Sequence, residues 1–154
     1  NHLHLMVRVK SKEEVLEFLR VEKSNSNLQG FQNLGGFNRV VSQQFSNLFN
    51  SYTKSFNKLY NRKGSLFIPN FKRKPITSKN YFRILIAYIH KNPVHHGFVS
   101  EPGEWPHSSW HAYLQNKMTR LKREEGLSWF GGRDEFFSVH RNIVMGKAIS
   151  LFED

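Results

Sequence analysis

The chain has 154 residues, enough for one domain with its own core, and its 23 Lys and Arg against 12 Asp and Glu give a formal net charge of +11. Its 14 Phe residues supply enough large apolar surface to exclude a disordered chain, and the lack of Cys excludes disulfides and thiolate metal centres. No apolar run is long enough to cross a membrane and no basic amphipathic anchor is visible, so no membrane partner is expected.

The charge is unevenly spread. Between Lys23 and Ser100 there is no acidic residue, while twelve Lys and Arg lie there, from Lys23 itself to Lys91. Such a region carries a strong positive field suited to a polyanion. No signal peptide is visible, which points to a cytoplasmic location, and the absence of Met at position 1 points to a fragment or a processed chain.

Residues 2 to 10 alternate, with Leu3, Leu5, Val7 and Val9 on one face and His2, His4, Met6, Arg8 and Lys10 on the other. That period of two predicts a strand that sets His2 beside His4. Ser11 followed by Glu14 predicts a capping box opening a helix to about Lys23, with Val15, Leu16, Phe18 and Leu19 as its buried stripe. Residues 24 to 37, rich in Asn, Ser, Gly and Gln, are expected to form a loop. From Asn38 to Tyr60, apolar residues at Val41, Phe45, Leu48, Tyr52, Phe56 and Leu59 predict a long amphipathic helix with Lys54 and Lys58 facing outward.

Arg62-Lys63-Gly64 breaks that helix, and residues 65–68 and 71–74 are expected as short extended segments joined at Pro69-Asn70. Thr77 or Ser78 should cap the next helix, which runs through Phe82, Leu85, Ile86 and Ile89 and should stop near Lys91, because Pro93 disfavours helical geometry at Asn92. A turn-rich acidic patch, a short helix near Ser109–Leu114, an anchored turn at Leu127–Gly132 and a last helix from about Asp134 to Met145 complete the chain.

Two imidazoles on one strand face, His2 and His4, can chelate one divalent cation, and equally they are two surface histidines of the kind any strand can carry. Tyr88 and Asn92, four apart, share one helical face if the helix reaches Asn92. Taken alone, a helical tyrosine is more often a core residue than a nucleophile.

The combination is more specific than its parts. His2-Leu3-His4, then Tyr88-Ile89-His90-Lys91-Asn92-Pro93-Val94, then Trp105-Pro106-His107-Ser108-Ser109 resemble the HUH single-tyrosine transposases, and within them most nearly the REP-associated tyrosine transposases. Arg62-Lys63-Gly64-Ser65-Leu66-Phe67 followed by Phe71-Lys72 is similar to the same group, so the resemblance spans most of residues 1 to 110.

The resemblance implies an α+β fold: an antiparallel, ferredoxin-like sheet with the histidine strand at its centre and helices packed on it. Residues 1–154 would form a single such domain lacking N-terminal strands, with residues 115–154 as a C-terminal extension. It also implies Tyr88 as catalytic nucleophile, His2 and His4 as metal ligands with Asn92 as a further one, and Mg or Mn as the cation. The expected activity is metal-dependent cleavage and rejoining of single-stranded or hairpin DNA through a 5′-phosphotyrosine, by a monomer or a homodimer.

Lys54, Lys58, Arg62, Lys63, Lys72, Arg73 and Lys74 are expected to hold DNA phosphates. Phe67, Phe71 and Tyr60 can stack on bases or pack in the core, and His90, His95 and His96 can contact phosphate or pack at the helix end. Two alternatives stand beside this expectation: a non-catalytic or domesticated DNA-binding protein derived from a transposase, and a metal-dependent hydrolase that uses water in place of tyrosine.

Overall fold

The computed structural model describes residues 3–22, 34–68 and 72–152. All regular structure among them is helical: α1 (Lys12–Glu22), α2 (Leu34–Leu59), α3 (Lys79–His95), a 3₁₀ turn (Pro102–Glu104), α4 (Trp110–Leu114), α5 (Arg123–Phe130), α6 (Arg133–Asn142) and α7 (Met145–Phe152). The chain divides into two compact units, one of residues 1–6 with 73–154 and one of residues 7–72.

The expected α+β fold with an antiparallel sheet is therefore corrected: among the described residues there is no strand and the architecture is all-helical. A strand is held by hydrogen bonds to a neighbouring strand, and neither residues 3–10 nor the segments around 65–68 and 72–74 run in a ladder. Burial alternates only over residues 3–6, since residues 7–10 are all exposed. Leu3, Leu5, Val7 and Val9 are exposed, while His4 and Met6 are half-buried, with Met6 packed against the core of the first unit.

The core of the first unit is aromatic. Ile86 on α3, Tyr113 on α4, Leu127 and Phe130 on α5 and Phe136 on α6 are all buried, with Phe82, Trp110 and Val139 packed around them. Residues 115–154, expected as an extension, thus supply much of this core. Instead of a turn at Leu127–Gly132 there is a helix, α5, ended by Gly131 and Gly132, whose φ values of 95° and 115° are open to glycine and strained for other residues. Within α5, Gly126 lies against Tyr113 so closely that an added Cβ would sit 2.7 Å from the tyrosine hydroxyl. Arg123 ties the preceding loop down by donating to the carbonyls of Ala112, Gln115 and Lys117.

In the second unit the predicted capping box forms: Glu14 N–H donates to Ser11 Oγ at 3.2 Å and Ser11 N–H to the Glu14 carboxylate at 2.8 Å. On α1, Val15 and Leu16 are half-buried and Phe18 is exposed, with Lys10 Nζ 6.0 Å from its ring centre. Along α2 the rings of Phe45 and Phe49 are in contact, as are those of Tyr52 and Phe56, and Tyr60 just after the helix meets Phe56. Phe67 folds back on Phe49 and Tyr52, at 4.9 and 6.0 Å between ring centres. The turn that returns it is fixed by Asn57 donating to the Gly64 carbonyl at 2.9 Å. The stripe is not wholly covered, since Leu48, Tyr52 and Leu59 are exposed.

α3 positions the candidate site. Ser78 caps it, accepting from Tyr81 N–H at 3.1 Å, as its sequence predicts. At its other end the helix runs past the expected stop at Lys91 and carries Pro93 inside. Pro93 has no N–H for the carbonyl of Ile89, and the helix continues past it to a closed end where His96 N–H bonds to Asn92, Gly97 N–H to Val94 and Phe98 N–H to Pro93. Asn92 therefore keeps helical geometry and stays on the face of Tyr88.

Candidate functional site

Tyr88 lies in the middle of α3 and is almost wholly buried, at 1 % exposure. His4, from the far end of the sequence, meets it edge-on, with ring centres 5.2 Å apart and planes at 76°. One turn further along α3, the Asn92 amide donates to the Tyr88 hydroxyl at 3.4 Å. Three side chains singled out by their types and spacing thus meet within the first unit. His2 lies outside the described residues.

The donor types suit a divalent cation: an imidazole edge-on to the phenol ring and an amide on its oxygen offer N and O ligands and no thiolate. Among the described residues no group of three or more His, Cys, Asp or Glu is placed to hold a metal, so the set there reduces to His4 and Asn92.

Behind Tyr88, on the opposite side of α3, lies a polar chain that pattern reading did not find. His90 is fully buried, and its two ring nitrogens lie 2.9 Å from His140 Nε2 and 2.8 Å from Ser109 Oγ. His140, at 4 % exposure, has its Nδ1 2.6 Å from the Phe136 carbonyl. A carbonyl only accepts, so His140 Nδ1 carries a proton; its bare Nε2 then accepts from His90 Nδ1–H, and His90 Nε2 accepts from the Ser109 hydroxyl. Each bond sets the direction of the next.

Burial keeps both rings neutral. Desolvation, and secondarily the charge of His140, push His90 down to about 3. Desolvation likewise pushes His140 down to about 4, helped by Lys91 and opposed by the bond to Phe136. Trp110, Tyr113 and Phe136 surround His90 at 5.7 to 5.9 Å between ring centres. His90 is therefore a packed, hydrogen-bonded core residue, while His95 and His96 are exposed at the helix end. Ser109 and His140 lie 19 and 50 positions from His90, beyond any local pattern; the available sign was a lone histidine one turn after Phe136 on an apolar helical face.

The basic residues are at the surface. Lys54 and Lys58 on α2, with Arg62, Lys63 and Lys72 after it, are exposed on the second unit. Arg62 also covers the Phe56 ring at 5.7 Å. Arg73 and Lys74 are exposed on the first unit. Phe67 is taken up by packing, Tyr60 is exposed, and Phe71 lies outside the described residues. No helix among the described residues is long and apolar enough to cross a membrane.

No protein-family model matches the chain, and no curated protein and no solved structure matches it.

Proposed function

We propose that this chain acts on DNA as an HUH-type transposase, cleaving and rejoining single strands through a transient 5′-phosphotyrosine at Tyr88. The observation that supports it is the meeting of His4, Tyr88 and Asn92, which lie as far as 88 positions apart in sequence. The exposed basic residues are its second support.

In this scheme the Tyr88 phenol gives up its proton and its oxygen attacks a backbone phosphorus. The bond from phosphorus to the 3′-oxygen breaks, and the freed 3′-oxygen takes up a proton. Asn92 holds the phenol oxygen in place, and His4 fixes the ring plane. A divalent cation held by His2, His4 and Asn92 would polarise the phosphodiester and favour the phenolate. Lys54, Lys58, Arg62, Lys63, Lys72, Arg73 and Lys74 bind phosphates without reading sequence. Because the phosphotyrosine ester retains the bond energy, a second 3′-hydroxyl reverses the step and joins strands.

The deciding experiment incubates the protein with a labelled hairpin-bearing single strand and Mg or Mn, then looks for a denaturation-resistant protein–DNA adduct. Wild type forms it and Tyr88→Phe does not, while both bind the strand equally. An adduct of normal yield from Tyr88→Phe defeats the assignment.

One observation favours a second reading: at 1 % exposure, Tyr88 is placed like a core residue. A non-catalytic DNA-binding protein accommodates that directly. It predicts binding without divalent-ion-dependent cleavage in the same assay, whereas a hydrolase using water predicts cleavage with no adduct.

A further inference from the structure

The loop between α4 and α5 carries a tip, Lys117-Met118-Thr119-Arg120, that sets an apolar side chain among cations. Met118 is fully exposed, and no large apolar side chain among the described residues is more so. Lys117, Arg120 and Lys122 are exposed around it, and residues 115–123 contain no acidic residue. None of these cations belongs to the basic set singled out between residues 54 and 74, and the tip lies on the first unit, with Tyr88.

The tip is braced from both sides. Arg123, itself mostly buried, donates to the carbonyls of Ala112, Gln115 and Lys117. Arg133, at the start of α6, donates to Asn116 Oδ1 at 3.1 Å. On the far side, Thr119 Oγ1 accepts from Leu121 N–H at 3.1 Å, and Leu121 packs against the aromatic core. One guanidinium thus serves three carbonyls of a segment with no regular structure of its own, and Met118 projects from a fixed support.

Helix stability does not account for the cations. Lys122 is the N-cap residue of α5, the end at which the helix dipole disfavours positive charge. Glu124 and Glu125 in the first turn suit that dipole, and Lys122 opposes it. Sequences break such local rules chiefly at functional sites.

The chemistry selects the partner. An apolar tip flanked by Lys and Arg fits a polyanion with an apolar interior, whose phosphates meet the cations while the interior takes the thioether. Duplex nucleic acid is such a body: Met, Leu, Ile or Phe side chains can enter between base pairs, part the stack and kink the helix. Met is unbranched and conformationally adaptable, which suits a narrow gap between bases. An anionic lipid surface would match the charge, but one side chain buries too little apolar area to hold a loop there. A second copy of this chain, with a net charge of +11, meets the tip with like charge.

We propose that Met118 is a wedge that enters a base step of duplex DNA, such as a hairpin stem, while Lys117, Arg120 and Lys122 hold the phosphates beside it. This rests on the proposed action on DNA and deepens it, assigning the paired part of the substrate to the α4–α5 loop.

Hairpins carrying 2-aminopurine at successive stem positions test the wedge, because that base brightens when it leaves the stack. Saturating wild-type protein should brighten one stem position severalfold. Met118→Leu should keep the rise, and Met118→Ala should lose most of it at saturation. Lys117→Gln and Arg120→Gln should each lower the salt slope of hairpin binding by about 1. Because Met118 is fully exposed, its variants should fold as the wild type does. A hairpin bound with no brightening at any position, or a rise retained in Met118→Ala, overturns the wedge alone. Binding of neither hairpin nor single strand overturns the DNA proposal and the wedge together. Binding to phosphatidylglycerol vesicles in place of DNA would assign the tip to a membrane and overturn both.

Discussion

His90 donates through Nδ1 to His140 Nε2 at 2.9 Å, and both rings are shut away from solvent. Because the pair is held neutral, with His90 down to about 3 and His140 down to about 4, it couples stability to pH. In the unfolded chain both histidines take up protons near pH 6.5. Below that pH the unfolded state binds more protons than the folded state, so stability falls with falling pH. The contribution is complete above about pH 6.5 and is lost progressively towards pH 4 and 3, at about 1.4 kcal/mol for each unit of displacement. Urea midpoints measured from pH 7.5 to 4 should fall accordingly. His140→Phe should flatten the curve while lowering its plateau, since His90 then loses a partner in the core. A flat wild-type profile would refute the neutral pair.

A second prediction concerns Gly126. Alanine normally favours a helix by about 1 kcal/mol over glycine. Here the new Cβ would meet the Tyr113 hydroxyl at 2.7 Å, and overpacking of a core typically costs about 1–3 kcal/mol. Gly126→Ala should therefore destabilise on balance. The ring carbon Cε1 of Tyr113 follows at 2.8 Å, so adding Tyr113→Phe, which removes only the hydroxyl, should recover little of the loss. Chemical denaturation of the two single variants and the double variant measures both effects.

The helical positions with the clearest local signals were legible in the sequence, and the tertiary partners were not. Ser11 with Glu14 and the Ser78 cap are local contacts, set by residues three apart, and they form as expected. Tyr88 and Asn92 share a face for the same reason. Residues 3–10 failed because alternation describes one segment, whereas a sheet is a property of several. α5 was missed because its glycines read as a turn, although Gly126 serves the approach of Tyr113, a contact that only packing reveals. Ser109 and His140 were missed because nothing local marks a bond spanning 50 positions.

Tyr88 carries a prediction apart from chemistry. Replacing it by Phe keeps the ring against His4 and removes the hydroxyl that accepts from Asn92. The loss in stability should be at least about 1 kcal/mol, the usual net worth of one neutral hydrogen bond. Tyr88→Ala should cost at least about 3 kcal/mol, in the range for emptying an aromatic site. Thermal and urea melts of the pair test whether the Phe variant is a fair catalytic control.

The surface cations predict a salt dependence. If Lys54 and Lys58 each neutralise one phosphate, replacing either by Gln lowers the slope of log affinity against log salt concentration by about 1, equally for all strand sequences. Titrations of a thymidine strand between low and moderate salt give the slopes. An unchanged slope in both variants would remove α2 from the DNA-contacting surface.

The first unit is built from residues 1–6 and 73–154, with residues 7–72 folding between its two parts. The encounter of His4 with Tyr88 therefore closes a loop of 84 positions, at an entropic cost of roughly 4 kcal/mol for an unstructured connector. Contacts among α3 to α7 are nearer in sequence and can form first, leaving the arrival of His4 as the last event in assembly. The contact between His4 and Tyr88 should therefore be the last part of the first unit to form.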